Sequence, residues 1–253
     1  MVRPGGREAV ARGDRAVVAV IQIGAISRLW RYPVKSMLGE ECCEVELEAR
    51  GFHGDRLFAV RDAEGKLGSG KNARRFRLMD GLFGLRARHA GEWPEIAFPG
   101  GRLLRGDDPQ VHEALSSALG TPVTLVREAG IPHFDDAPVH LVTTAALEWL
   151  RARLPGSRID ERRFRPNIVV AAQGTGQPEQ SWIGGTVRFG ADATLRIMAP
   201  TERCRMTTLA QGDLPEDAKV LRCLAEDSEA QFGVYAEVVK PGRIAAGDAV
   251  VLD

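Results

Sequence analysis

A mainly β fold with a few helices, an α+β chain laid out as two β-rich parts, is what this sequence predicts. Apolar runs are short, and several alternate with polar residues, the period of a half-buried strand. Glycine (28) and proline (14) interrupt them at close intervals, as turns between strands require. Segment 127–138 mixes Gly, Pro and Asp and separates an earlier set of strands from a later one, so the parts are expected at about 23–130 and 131–253. With 253 residues, the chain can bury a core without disulfide or metal staples.

Residues 1–16 are expected to be a disordered leader, or the product of a start codon placed too early, because Pro4, Gly5, Gly6 and Gly13 spoil a helical face. Strands follow at 17–21 and 23–32. Segment 44–48 alternates acid with Val45 and Leu47, a strand with one wet face. After a Gly-bounded turn come short strands at 57–60, 84–89 and 95–98. Asp107, Asp108 and Pro109 open a helix with Val111, Ala114, Leu115, Ala118 and Leu119 on one face and Gly120 past its end. Strands are expected at 122–126 and 139–142, then a second helix over 143–154 with Thr143 or Thr144 as N-cap. The remaining strands fall at 168–170, 186–189, 194–199 (stopped by Pro200), 234–239 and 249–252, with a short helix near 217–225. Arg158, Arg162, Arg163 and Arg165 form a charge run whose usual meaning is a solvated face.

Lys plus Arg and Asp plus Glu both total 34, so no global field favours nucleic acid or an anionic membrane, although a local basic site is allowed. No apolar run approaches a membrane span and no secretory leader is evident, which makes the cytoplasm the default location. Cys42, Cys43, Cys204 and Cys223 show no spacing suited to zinc or an iron–sulfur cluster. Cys42, Cys43 and Cys223 read as packing thiols. Segment 65–72, GKLGSGKN, nearly spells a phosphate loop, but Asn72 stands where the magnesium-binding hydroxyl belongs and no helix pattern follows, so a hairpin is preferred.

Cys204 lies between Arg203 and Arg205. Cationic neighbours favour the thiolate, the form that attacks electrophiles and binds soft metals. On these local features a buried thiol beside two solvated arginines is an equal alternative. The setting Arg203-Cys204-Arg205-Met206-Thr207-Thr208 resembles the Arg-Cys-x-x-Thr-Thr signature of the MOSC domains. Four further landmarks stand in that family's order: RYPVKS at 31–36, GDR at 54–56, RFRPNIVV at 163–170 and the closing stretch 232–252. The resemblance covers about residue 23 to the C-terminus and is nearest to the two-part proteins of the mitochondrial amidoxime-reducing type. It implies a β-barrel-like MOSC domain preceded by a smaller β-barrel-like N-terminal domain.

By motif position, the resemblance implies a molybdenum–pterin cofactor with Cys204 as metal ligand and catalytic residue. Lys35, Arg56, Arg165, Asn167 and Arg203 would hold the cofactor, with Thr208 as a hydrogen-bonding neighbour. Each has a plain alternative: a snorkelling surface lysine for Lys35, a partner for Asp55 or Asp62 in Arg56, a strand-end cap for Asn167. If the site is shared, Lys35, Arg56, Arg165, Asn167 and Cys204 face one cleft. Relatives carry Val-Asp-Pro after the threonine pair where this chain has Leu209-Ala210-Gln211-Gly212-Asp213, with Asp213 a displaced equivalent of the acid. Three functions are open, in this order: a reductase of small N-hydroxylated or N-oxide substrates, a cofactor carrier without turnover, and a sulfur carrier using a Cys204 persulfide. The five histidines show no pattern with Cys204 that a hydrolase would need. No ferredoxin-type cysteine set and no dinucleotide fingerprint is present, so a reductase would draw electrons from a flavin reductase and a small one-electron carrier.

Overall fold

A computed structural model describes residues 21–191 and 193–253. The expected leader at 1–16 and residues 17–20 of the first expected strand lie outside the described residues. Seven strands close into a barrel. Going round, they are Ile21–Arg31, Ile168–Ala172, Val139–Thr143, Gln231–Lys240, Ala193–Glu202, Thr186–Phe189 and Ala249–Leu252, which returns to the first. Neighbours are antiparallel except Val139–Thr143 with Ile168–Ala172. A parallel pair needs a crossover, and the helix Thr144–Arg153 supplies it. Thr143 caps that helix through its side chain, which accepts from the Ala146 amide at 3.1 Å.

The strand Ile21–Arg31, from the N-terminal stretch, closes a barrel whose other strands all come after residue 130. Gly24 makes the closure possible, since a Cβ there would sit 2.3 Å from the Ala171 carbonyl oxygen. Inward residues alternate along the strands except at bulges, as between Ile26 and Arg28, and Ile26, Leu29, Leu141, Ile168, Leu195 and Val234 fill the interior. Each such burial is worth about 1.5–3 kcal/mol. The outer face at Val142 and Val169 is covered by the helices Thr144–Arg153 and Ala218–Ser228.

Residues 58–127 build a smaller unit with its own core of Phe58, Val60, Leu82, Leu85, Ile96 and Leu115. One sheet runs Val123–Arg127, Phe58–Asp62, Leu67–Ser69, Phe76–Leu78, and another Leu103–Arg105, Trp93–Ala97, Arg86–Ala90. The helix Val111–Leu119 ends at Gly120 in left-handed backbone (φ 67°), as its position implied. Segment 65–72 turns back at Gly65 (φ 81°) and enters the strand Leu67–Ser69, which continues as strand and not helix, so the hairpin holds. A second tie between the two ends of the chain is the strand Gly242–Ala245, unforeseen in the sequence, which pairs with Glu44–Glu48.

Three expectations are corrected. Ala193–Glu202 runs through Pro200 instead of stopping there: the register slips on both sides of Pro200, and a bulge tolerates a residue without an N–H. Cys43 is exposed and so is not a packing thiol of a core, whereas Cys42 lies against the barrel core and Cys223 is buried. The arginine run is a solvated face only in part: Arg158 is exposed, but Arg165 is buried and Arg163 is fully buried, donating to the carbonyls of Arg158 (2.9 Å) and Pro215 (2.8 Å).

Glu179, in the 3-10 turn Pro178–Trp182, is fully buried. Burial raises its carboxyl from 4.5 to about 7, against the opposing hydrogen bond donated by Thr143 Oγ1 at 2.6 Å. The folded state therefore binds a proton that the unfolded chain releases near pH 4.5. Stability from this group is full below pH 4.5, falls as pH rises to about 7, and then levels off. Denaturant titrations of Glu179→Gln against wild type are expected to show the wild type losing on the order of 3 kcal/mol relative to the variant over that window. Parallel pH profiles would contradict this.

Candidate functional site

The cleft forms at the seam between barrel and smaller unit, and each wall is held by backbone. After the strand Ile21–Arg31 the chain turns so that the Lys35 amide donates to Phe58 O at 2.8 Å, and Ser36 takes a left-handed φ of 65°. Arg56 follows Gly54 in a turn and also has a left-handed backbone (φ 50°), its amide donating to Tyr32 O at 2.7 Å. Arg165, just before Pro166 and the strand Ile168–Ala172, is the third (φ 54°). Such a backbone costs a non-glycine residue about 1–2 kcal/mol. Among the described residues, the other non-glycine positive-φ positions are Glu229 and Ala230, and Ala230 O accepts the Arg203 amide at 2.7 Å, aiming the cysteine loop. Strain collected this way marks a site whose geometry is imposed by the surrounding fold.

Lys35, Arg56, Arg165, Asn167, Arg203 and Cys204 all line this one cleft, about 980 Å³ including its open mouth. Arg165 and Arg56 both stack on the Tyr32 ring, their guanidinium carbons 4.2 and 4.9 Å from its centre. Arg165 donates to Met37 O at 2.7 Å, and Arg203 to Phe164 O at 2.8 Å. Arg165 Nη2 and Arg203 Nε are buried without a hydrogen-bond partner, and neither guanidinium is paired with a carboxylate among the described residues. Burial pulls Arg165 down to about 10 and lowers Arg203. Lys35, 5% exposed, is no surface lysine, and its Nζ lies 2.7 Å from Asp135. Burial lowers the Lys35 ammonium more than one carboxylate restores it. For Asp135, burial is outweighed by Lys35, with Lys71 and Arg56 adding, which holds the acid at about 2. His140 stays neutral: burial, then Arg203 and Arg56, push it well below its ordinary value.

Arg56 also pairs with Asp55, so its plain alternative and its place in the cleft hold together. Asn167 ties three walls: Oδ1 accepts from the His140 amide (3.2 Å) and Arg56 (3.3 Å), and Nδ2 donates to Trp30 O (3.3 Å). Thr208 is not at the cleft; its hydroxyl donates to Arg205 O at 2.8 Å inside the turn Arg205–Thr208. Arg205 points away to Asp80 at 3.5 Å, so only one of the two arginines beside Cys204 faces the cleft. Asp213 is not a cleft acid either, being paired with Arg158 and Arg162. Sequence reasoning passed over Ser36, Ser69, Lys71, Asp135, Asp136 and Tyr235. The near-phosphate-loop pattern did carry a signal for Ser69 and Lys71.

The model of the MOSC domain matches residues 110–251, more than half of the chain, and that of the MOSC N-terminal beta barrel domain matches residues 23–80. The chain belongs to the MOSC family. It is similar to mitochondrial amidoxime-reducing component 1 of Mus musculus, at 26% identity over 91% of this chain and 83% of the relative. Mitochondrial amidoxime reducing component 2 of Rattus norvegicus is 23% identical, over 90% and 83%. Among solved structures, the YUAD protein from Bacillus subtilis shares the fold, with a TM-score of 0.53 at 15% identity over 92% of this chain and 97% of that one.

Unpaired guanidinium groups in the MOSC cleft are predicted to take an anion. Inorganic phosphate should raise the unfolding temperature of the wild type, because a ligand that binds only the folded state stabilises it. The double variant Arg165→Met, Arg203→Met should show no such rise and no loss of stability without phosphate. Equal shifts in both proteins would contradict the assignment.

Proposed function

We propose that the cleft holds a molybdenum–pterin cofactor and that the chain reduces small N-hydroxylated or N-oxide substrates with electrons from a separate donor. The observation that carries this reading is the convergence of Cys204 with Lys35, Arg56, Arg165 and Arg203 on one cleft. Its amidoxime-reducing relatives, matched over most of the chain, support the reaction class.

The residues present fit the group. Arg165 Nη2 and Arg203 Nε are buried donors without acceptors, the complement of a phosphate or an oxygen-rich ring edge. No cluster of three or more His, Cys, Asp or Glu that could hold a metal occurs among the described residues. A metal that arrives with most of its ligands needs one thiolate, which Cys204 offers, its thiol having no hydrogen-bond partner among the described residues. When bound, the cofactor supplies two-electron transfer at molybdenum. The protein's residues do the rest: Lys35, Arg56, Arg165 and Arg203 bind anionic groups, Asn167 fixes Arg56, and the Ala230 contact fixes the Cys204 loop. No helix among the described residues is long and apolar enough to cross a membrane. The electron donor in this reading is a flavin reductase with a small one-electron carrier, docking at the cleft mouth.

Protein expressed in a host that makes the cofactor is expected to carry about one molybdenum per chain. Cys204→Ser should lower or alter that content, and Ser at Cys42, Cys43 and Cys223 should not. With a reduced dye as donor, amidoxime or hydroxylamine loss should depend on Cys204. Absence of molybdenum after cofactor-replete expression would sink the reading. Full occupancy without turnover over a broad substrate panel would favour carriage, and sulfane sulfur on Cys204 of metal-free protein would favour sulfur transfer.

A further inference from the structure

The cofactor reading uses the cationic floor and leaves the mouth of the cleft without a role. There the sign reverses. Asp136 and Glu202 are exposed, both line the cleft, and neither side chain has a salt-bridge or hydrogen-bond partner among the described residues. Cys204 follows Glu202 by two positions and lines the same cleft, and Arg203 between them is buried. Lys71 also lines the cleft, but it stands near Phe76, 5.4 Å from the ring centre, on the side where Asp135 and Lys35 already pair. Phe134, Met206 and Tyr235 add apolar surface to the same lining.

Charge is therefore sorted along the cleft. The buried donors without partners, Arg165 Nη2 and Arg203 Nε, call for an anion within, and the free carboxylates call for a cation outside it. We infer that Asp136 and Glu202 are specificity-determining residues that select N-hydroxylated or N-oxide substrates bearing a positive charge on an aromatic or apolar body, and reject anionic ones. The inference rests on the reductase reading for what is reduced, but not for what is bound. At a solvated mouth, one carboxylate a few ångströms away discriminates between opposite charges by about ten-fold, and salt screens this over about 8–10 Å.

The test titrates phenyltrimethylammonium, an aromatic cation that cannot be reduced, into the purified full chain, with its uncharged tert-butyl isostere as control. Saturable binding of the cation alone is expected, weakened about ten-fold by Asp136→Asn or Glu202→Gln, and weakened in wild type by added salt. Both positions are exposed, so the variants should unfold at the wild-type temperature, which is checked alongside. Equal affinity in wild type and the double variant overturns the inference. In turnover, N-hydroxylated aryl substrates carrying trimethylammonium or sulfonate should differ in kcat/KM by more than about ten-fold, cation preferred, and the double variant should bring the ratio near one. A ratio near one in wild type overturns the inference while leaving the reductase reading intact. Cation binding that follows Asp136 and Glu202 in a chain without molybdenum or turnover sinks the reductase reading alone.

Discussion

Buried positive charge at the seam of the fold is the constraint on which the rest of this structure depends. Lys35, Arg165 and Arg203 are each less than a tenth exposed, and the two guanidinium groups have no carboxylate against them among the described residues. Removing such groups from water costs several kcal/mol apiece unless something replaces the lost hydration. The protein offers partial replacements: the Tyr32 ring face under Arg165 and Arg56, backbone carbonyls of Met37 and Phe164, and one shared acid at Asp135. What it leaves unmet is the hydrogen bonding of Arg165 Nη2 and Arg203 Nε, the feature on which the proposed anionic ligand rests.

Holding those charges requires walls that cannot relax, and the topology supplies them. Closure of the barrel by Ile21–Arg31 delivers Tyr32 and Lys35 directly from its end, and Asn167 binds that strand at Trp30 and the strand Val139–Thr143 at His140. Left-handed backbone at Ser36, Arg56 and Arg165 stores a few kcal/mol that the packed cores on either side of the seam sustain. The cysteine loop is wedged in turn. Gly70 lets Met206 and Leu209 approach closely, Gly212 donates to Phe83 O at 3.1 Å, and the buried Arg163 reaches Pro215 from the other side. A thiol on a loop so constrained keeps one position relative to the cations.

Much of this could be read in the sequence because local chemistry and local structure agreed. Gly120 ended a helix, Thr143 began one, and alternation at Val45 and Leu47 gave a strand with one buried face. Cys204 with its motif companions brought Lys35, Arg56, Arg165, Asn167 and Arg203 into view. What escaped depended on distant partners. Nothing local to Ile21–Arg31 says that it closes a barrel with strands more than a hundred residues on. Left-handed φ at Arg56 and Arg165 runs against residue preference, and Pro200 reads as a stop until its bulge is seen. Thr208 illustrates the reverse: a motif residue whose hydroxyl serves the turn and not the cleft.

The central claim is that Cys204 sulfur and the cleft cations together hold a molybdenum–pterin group. X-ray absorption at the molybdenum edge, on wild type and Cys204→Ser loaded in the same host, addresses it most directly. The account predicts one more sulfur neighbour at the metal in wild type than in the variant. Equal sulfur counts in the two proteins, or no molybdenum bound to either, would contradict it.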